Sequence, residues 1–85
     1  MSKKMYAIPP GETIAELLEQ RGMTENELAA RMHTQVSYVQ KLIAGTVYMT
    51  IGIARRLENA LDVPANFWLN LEQIYREELS KGRTS

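Results

Sequence analysis

The 85-residue chain contains no cysteine and only one histidine. Without cysteine a disulfide scaffold is excluded, and a reducing compartment, the cytoplasm, is the expected location. A structural zinc site lacks its usual ligands, so we expect no metal and no other cofactor. No nucleophile–base set, phosphate-binding glycine loop or metal motif is present, and we therefore do not expect an enzyme.

Long apolar runs and an excess of either charge are also missing. No apolar run approaches the roughly 18 residues of a membrane span, so no contact with a membrane is expected. The N-terminal residues carry two lysines but no apolar segment, and we expect no signal peptide. Ten basic residues balance ten acidic ones, for a formal net charge of zero. A uniformly basic surface is thus excluded, and any binding to DNA would need positive charge gathered on one face, dimerisation and base contacts.

The length and a hydrophobic content of 45% are those of one globular domain with a single core, spanning residues 1–85. Apolar residues recur at helical spacing, and no segment has the alternation of a strand, so the predicted class is all-α with five helices. The predicted helices are 12–21, 24–32, 35–44, 51–61 and a last one from Pro64. Residues 1–10 are predicted to form an extended arm, and residues 80–85 a frayed tail.

Residues 24–45 are the most informative segment. They contain two halves with one apolar stripe each, separated by a turn at His33. Thr24 and Glu27 have the spacing of a capping box at the start of the first half. Ala29, a small residue in the first helix, allows a second helix to cross closely. This layout predicts a helix-turn-helix, whose second helix can lie in a DNA major groove.

Three sequence segments resemble the HigA-type antitoxins of the XRE/Cro family of helix-turn-helix transcription regulators. They are PPGETIAELLEQRGMTENELA, the helix-turn-helix through VQKLIAG, and ALDVPANFWLNLE with its aromatic pair. The resemblance implies a five-helix, lambda-repressor-like fold. It also implies a repressor that binds double-stranded operator DNA as a homodimer and autoregulates a toxin–antitoxin operon. The partner toxin would be of the HigB/RelE type.

On a helical wheel of the second half, Val36, Ser37, Gln40 and Lys41 share the side opposite the apolar stripe. The resemblance implies that this side meets DNA. Gln40 would contact adenine, Lys41 guanine or phosphate, and Val36 a thymine methyl group. The full set of residues expected at the DNA is Thr34, Gln35, Val36, Ser37, Tyr38, Gln40, Lys41 and Thr46.

Serine, glutamine and lysine are also ordinary residues of a solvated helix face, and Glu25 stands where a phosphate-contacting residue is usual. An alternative is therefore a protein-interaction module that neutralises the toxin through acidic faces such as Glu12, Glu16 and Glu19, with weak or lost DNA binding. A further alternative is the N-terminal module of a larger regulator. Positive charge for DNA would come from other residues, such as Lys3, Lys4, Arg55 and Arg56.

The last predicted helix carries more apolar residues than one small core needs. We expect Phe67 inside the core and the stretch from Leu71 through Ile74 to Tyr75 at a dimer interface. Trp68 is expected either in the core or at that interface. The apolar loop around Tyr48 either tucks under the core or contacts a partner protein.

Overall fold

The computed structural model describes the backbone of residues 9–84 and the side chains of residues 9–80. This part of the chain is all-α and contains no strand, which confirms the predicted class. No described helix is long and apolar enough to cross a membrane. Residues 1–8, which include Lys3 and Lys4, lie outside the described part. The five helices are α1 (Pro10–Arg21), α2 (Glu25–Met32), α3 (Val36–Ala44), α4 (Ile51–Leu61) and α5 (Ala65–Thr84).

Helices α2 and α4 start with side-chain caps, the first of which the sequence predicted. The hydroxyl of Thr24 accepts a hydrogen bond of 3.0 Å from the backbone N–H of Glu27, whose carboxylate accepts one of 2.8 Å from the N–H of Thr24. Thr50 accepts a hydrogen bond of 3.2 Å from the N–H of Ile53. Each cap satisfies N–H groups that have no partner inside the helix, and so fixes where the helix begins.

Helix α1 begins two residues earlier than predicted, because it includes Gly11 and also Pro10, which was assigned to the extended arm. Proline at a first helical position loses no hydrogen bond, and its fixed φ suits the helix. Gly11 is buried where α1 meets α3. A Cβ at Gly11 would lie closer than 3.0 Å to the backbone of Leu42 and Ile43, so only glycine permits this approach.

The turn between α2 and α3 is tight because α2 ends in a left-handed residue. His33 has φ 59°, and its backbone N–H donates to the carbonyl of Ala30 while the N–H of Thr34 donates to that of Ala29. Helix α3 ends in the same way at Gly45, with φ 80°. These paired hydrogen bonds satisfy the last carbonyls of each helix and reverse the chain within a few residues.

One core joins all five helices. Helix α3 packs on α1 and α2, α2 also packs on α4, and α5 packs on α4 and α1. The buried apolar residues are Ile14, Leu18, Leu28, Ala29, Met32, Val39, Leu42, Met49, Ala54, Leu57, Ala60, Leu61 and Trp68.

The aromatic pair at the start of α5 does not lie as predicted. Phe67 was expected inside and is 41% exposed, whereas Trp68 is 0% exposed and sits in the core. Adjacent helical residues point about 100° apart, so only one of the two rings can face the core. The rings meet edge to face, with centroids 5.3 Å apart.

Helix α5 continues to Thr84 and so includes most of the segment predicted to fray, residues 80–85. No proline interrupts the chain after Pro64. Pairs one turn apart support the exposed half of the helix: Glu72 binds Arg76 at 2.7 Å, and Gln73 binds Glu77 at 3.3 Å. Such pairs add helical stability that the apolar pattern alone does not reveal.

Candidate nucleic-acid interface

Helix α3 is held by its apolar side and leaves a polar side open. Val39 and Leu42 are buried against the other helices. Ser37, Gln40 and Lys41 are exposed on the opposite side, as predicted. Val36 lies at the edge of this surface, half-buried against the core. We call the exposed side formed by Ser37, Gln40 and Lys41, with Val36 at its edge, the α3 surface.

Three other predicted DNA contacts lie at or beyond the ends of this surface. Gln35 is exposed and is the N-cap residue of α3, without a side-chain hydrogen bond to the helix. Thr34 is half-buried in the turn. Thr46 is exposed, but its hydroxyl donates to the carbonyl of Lys41 at 3.3 Å, which ties it to the end of α3.

Tyr38 is the one predicted contact that the structure does not bring to the α3 surface. Its side chain is half-buried and packs against the core. At 100° per residue it lies far round the helix from Gln40, on the side of Val39 and Leu42. This placement corrects its inclusion among the residues that face the groove.

Glu25 and Gln40 connect the two helices of the motif. The Gln40 side chain donates a hydrogen bond of 3.2 Å from Nε2 to Oε1 of Glu25. Glu25 is half-buried. Because it is the first residue of α2, its carboxylate lies at the positive end of the α2 dipole. The acid that stood out in the sequence as unfavourable for DNA is therefore a partner of the central residue of the α3 surface.

Arg56 supports the turn of the motif from α4. Its guanidinium nitrogen Nη1 donates to the carbonyls of Met32 at 3.0 Å and of His33 at 3.2 Å. These are carbonyls at the negative end of α2, where a cation is favourable. The sequence suggested Arg56 as a phosphate contact. The structure gives Arg56 a positioning role instead, which the sequence did not reveal because Arg56 and Met32 are 24 positions apart.

The basic side chains of the described residues fall into two groups. Arg21 donates to the carbonyl of Leu61 at 2.6 Å, and Arg56 and Arg76 also bind within the fold. Three more are exposed and form no hydrogen bond or ion pair with another described residue: Arg31, Lys41 and Arg55. Among the described side chains the positive charge left for phosphate is thus small, and Lys41 places part of it on the α3 surface.

The predicted dimer residues on α5 differ in what they offer to a partner. Ile74 is 55% exposed and Leu71 is half-buried. Trp68 is fully buried in the core of its own chain, which corrects its expected place at a dimer interface. Phe67 lies two turns before Ile74 on the same side of α5. The apolar stripe open to solvent is therefore Phe67–Leu71–Ile74, with Phe67 in place of Trp68.

Tyr75 and Tyr48 enclose Arg76. The guanidinium carbon lies 4.1 Å from the ring centre of Tyr48 and 4.8 Å from that of Tyr75. Tyr48 is nevertheless 68% exposed. Tyr75 therefore packs within its own chain, and the α3–α4 loop is fastened to α5 by these cation–π contacts.

The sequence model of the helix-turn-helix family matches residues 14–68, from α1 into the first turn of α5. The chain belongs to the helix-turn-helix family. The matched range contains α2, α3 and the turn that Arg56 supports. Helix α3, which carries the α3 surface, is thus the second helix of the helix-turn-helix motif.

Several known proteins resemble this helix-turn-helix chain. The HTH-type transcriptional regulator YbaQ of Escherichia coli K12 is 36% identical over 64 residues, which cover 74% of this chain and 57% of YbaQ. The chain thus spans little more than half the length of the curated relatives it matches.

Two solved structures share the whole fold. An addiction module antidote protein of the HigA family from Coxiella burnetii has a TM-score of 0.85 and 28% identity, with 94% of this chain and 88% of that one covered. PA4674 of Pseudomonas aeruginosa, solved with its operator DNA, has a TM-score of 0.86 and 25% identity, with 94% and 87% covered.

Proposed function

We propose that the chain is a HigA-type repressor that binds operator DNA as a homodimer and autoregulates a toxin–antitoxin operon. The observation that carries the proposal is the α3 surface, a polar and exposed helix side on a helix that packs against α1 and α2. A helix of this width fits the major groove of B-DNA. The two subunits would place α3 in successive grooves about 34 Å apart.

The descriptions of three similar proteins support this proposal. PA4674, with the same fold, is described as binding its operator, and the Coxiella burnetii protein as an antidote of the HigA family. YbaQ carries the description of a transcriptional regulator. A DNA-binding role for the α3 surface agrees with all three.

Base contacts, rather than general attraction to phosphate, would then supply most of the selectivity. The net charge is zero, and Arg21, Arg56 and Arg76 are engaged within the fold. Affinity for arbitrary DNA should be low and should depend only weakly on salt, since few phosphate contacts are made and the salt dependence grows with their number. Dimerisation adds the second half-site that such a weak binder needs.

The test is binding of the purified chain to duplex DNA from upstream of its own coding sequence, measured by fluorescence anisotropy at low salt. Gln40→Ala should weaken binding by about 1–3 kcal/mol, or roughly 5- to 140-fold, since a paired base contact is lost. Gln20→Ala, an exposed glutamine on α1, is the control and should leave affinity unchanged. Absence of binding by the unaltered chain at micromolar dimer would refute the DNA-binding function.

The proposed dimer forms through the stripe Phe67–Leu71–Ile74. Ile74→Glu places a charge at its most exposed member and should yield monomers in analytical ultracentrifugation. Ser80→Glu adds the same charge to an exposed residue off the stripe and should leave the dimer intact. A monomeric parent chain, or a dimeric Ile74→Glu variant, contradicts the assignment of this interface.

A second function, neutralisation of a basic toxin of the HigB/RelE type, is favoured by an acidic row on α1. Glu12, Glu16 and Glu19 are all exposed and recur at one-turn spacing on α1. Such a row is complementary to a basic, RNA-cleaving partner. The second function is compatible with DNA binding, because the two surfaces belong to different helices.

Its test is co-purification with the product of the adjacent gene and inhibition of that product's cleavage of mRNA. The triple change of Glu12, Glu16 and Glu19 to lysine should abolish capture and leave operator binding in place. The same reversal at Glu58 and Asp62 is the control, since both are exposed on or next to α4. Equal capture by both variants argues against the acidic row.

A further inference from the structure

The contact between Gln40 and Glu25 has a consequence for which base the α3 surface selects. Gln40 is exposed in the middle of α3, and Glu25 is half-buried at the first position of α2. We propose that Glu25 is a specificity-determining residue, which orients the Gln40 amide so that it selects adenine over guanine. The proposal rests on the DNA-binding function proposed above.

The orientation follows from the chemistry of the two groups. A glutamine amide has two N–H donors on one side and an acceptor oxygen on the other, whereas an ionised carboxylate only accepts. The amide nitrogen of Gln40 must therefore face Glu25, at the 3.2 Å observed. A flipped amide would place its oxygen against the carboxylate oxygen. Glu25 thus disfavours the flipped amide and accepts a hydrogen bond from one of the two N–H groups of Gln40.

What remains on Gln40 is one N–H donor and one acceptor oxygen. Adenine presents an acceptor, N7, and a donor, N6, at its major-groove edge, and so matches this pair. Guanine presents two acceptors, N7 and O6, and would set its O6 or N7 against the amide oxygen. Without Glu25 the amide turns freely, and both of its N–H groups become available to guanine.

The charge of Glu25 affects affinity and not base preference. A carboxylate close to phosphate repels it on every sequence, so it lowers affinity for arbitrary DNA and for a matching site alike. A purely structural role exists as well, because an acid in the first turn stabilises α2. That role affects stability and does not change base preference, and this difference separates the two interpretations.

The experiment uses the full chain and a library of duplexes randomised at the site centre. The position at which Gln40→Ala loses its preference is identified first. Defined duplexes with A·T or G·C at that position then give the preference of each variant. We expect Glu25→Ala to lower the adenine-to-guanine affinity ratio by about fivefold or more and to bind random duplexes more tightly. Glu19→Ala removes the same charge from α1 and should keep both values.

Two further measurements keep the outcome clear. The double variant Glu25→Ala/Gln40→Ala should have the same ratio as Gln40→Ala alone, because Glu25 acts through Gln40. In side-chain amide NMR spectra without DNA, Glu25→Ala should move the Gln40 Nε2 signals toward random-coil positions. If Glu25→Ala does not fold, Glu25→Gln, which keeps the shape of the side chain, replaces it and should lower the ratio in part.

The role of Glu25 is overturned if folded Glu25→Ala keeps the adenine-to-guanine affinity ratio of the parent while Gln40→Ala loses it. The DNA-binding function would then still stand. Selection of no sequence at all by the unaltered chain overturns the proposed function, and this inference with it.

Discussion

Replacing Gly11 by alanine tests whether the contact between α1 and α3 determines where the α3 surface lies. Gly11 is buried and is the second residue of α1. The Cβ of an alanine there would approach the carbonyl oxygens of Leu42 and Ile43 and the Cα of Ile43 to less than 3.0 Å. These are backbone atoms near the end of α3, so no side-chain rotation relieves the overlap. One helix must move away from the other, by about 1 Å or more, to restore ordinary contact.

The magnitude follows from two opposing effects. Overpacking a well-packed core costs about 1–3 kcal/mol even where side chains can adjust, and here they cannot, so the upper end applies. Alanine is favoured over glycine in a helix by roughly 0.5–1 kcal/mol, which offsets part of this. We expect a net loss of about 2 kcal/mol or more. An 85-residue domain has a free energy of unfolding of roughly 4–13 kcal/mol, so the loss is large.

Gly52→Ala is a matched control, because Gly52 is also the second residue of its helix, α4, but is exposed. The nearest atom to its Cβ position is the Thr50 hydroxyl oxygen, at 3.9 Å. Here only the helix preference acts, and we expect a gain of roughly 0.5–1 kcal/mol. The free energies of unfolding of the two alanine variants should therefore lie on opposite sides of the parent's and differ from each other by about 3 kcal/mol.

Urea unfolding measures both variants, followed by the fluorescence of Trp68, the sole tryptophan, which is 0% exposed. The midpoint should shift without a change in slope. Operator affinity, measured where both variants are folded, should fall for Gly11→Ala alone because α3 is displaced. A Gly11→Ala protein as stable as Gly52→Ala would refute the argument, since the close approach of the two backbones would then have no energetic weight.

Three further changes test the supports of the motif. Arg56→Ala should lower the free energy of unfolding by about 0.5–1.5 kcal/mol, because the carbonyls of Met32 and His33 lose a donor; Arg55→Ala, at the neighbouring exposed position, should leave it unchanged in the same urea titration. His33→Gly should raise the thermal midpoint, since a left-handed residue with a side chain is strained by about 1 kcal/mol; a lower midpoint would show that the histidine side chain contributes more than its strain. Trp68→Phe should lower the free energy of unfolding by less than Trp68→Ala, for which we expect a loss of roughly 3–5 kcal/mol. The buried Nε1–H of Trp68 has no hydrogen-bond partner among the described residues, so its removal relieves a desolvation penalty. Unfolding followed by circular dichroism measures both variants, and equal losses would contradict this account.

The positions of the helices followed from the sequence because their determinants are local. Thr24 and Glu27 cap α2 across three residues, and Gly45 ends α3 through hydrogen bonds to carbonyls in its last turn. The polar side of α3 was also predictable, since a period of about 3.6 residues places Gln40 and Lys41 opposite Val39 and Leu42. These features need no knowledge of how the helices pack.

Which ring of the Phe67–Trp68 pair enters the core could not be decided in this way. Both rings suit a core equally well, and the choice depends on the angle at which α5 meets the other helices. For the same reason the stripe open to a partner runs through Phe67 rather than Trp68. The sequence has no apolar pattern by which to follow α5 beyond residue 80, although its backbone is helical to Thr84.

By itself, then, the sequence determined the all-α class, the helix boundaries set by caps and the polar side of α3, because each depends on residues within one or two turns. Only the tertiary structure decided that Gly11 lies against the backbone of α3, that Arg56 holds the turn, and that Glu25 holds Gln40. These partners are 15 or more residues apart, and their contacts form only once the helices cross. The physical reason is that a side chain's own spacing fixes its direction on its helix, whereas its partner is fixed by the packing of the helices.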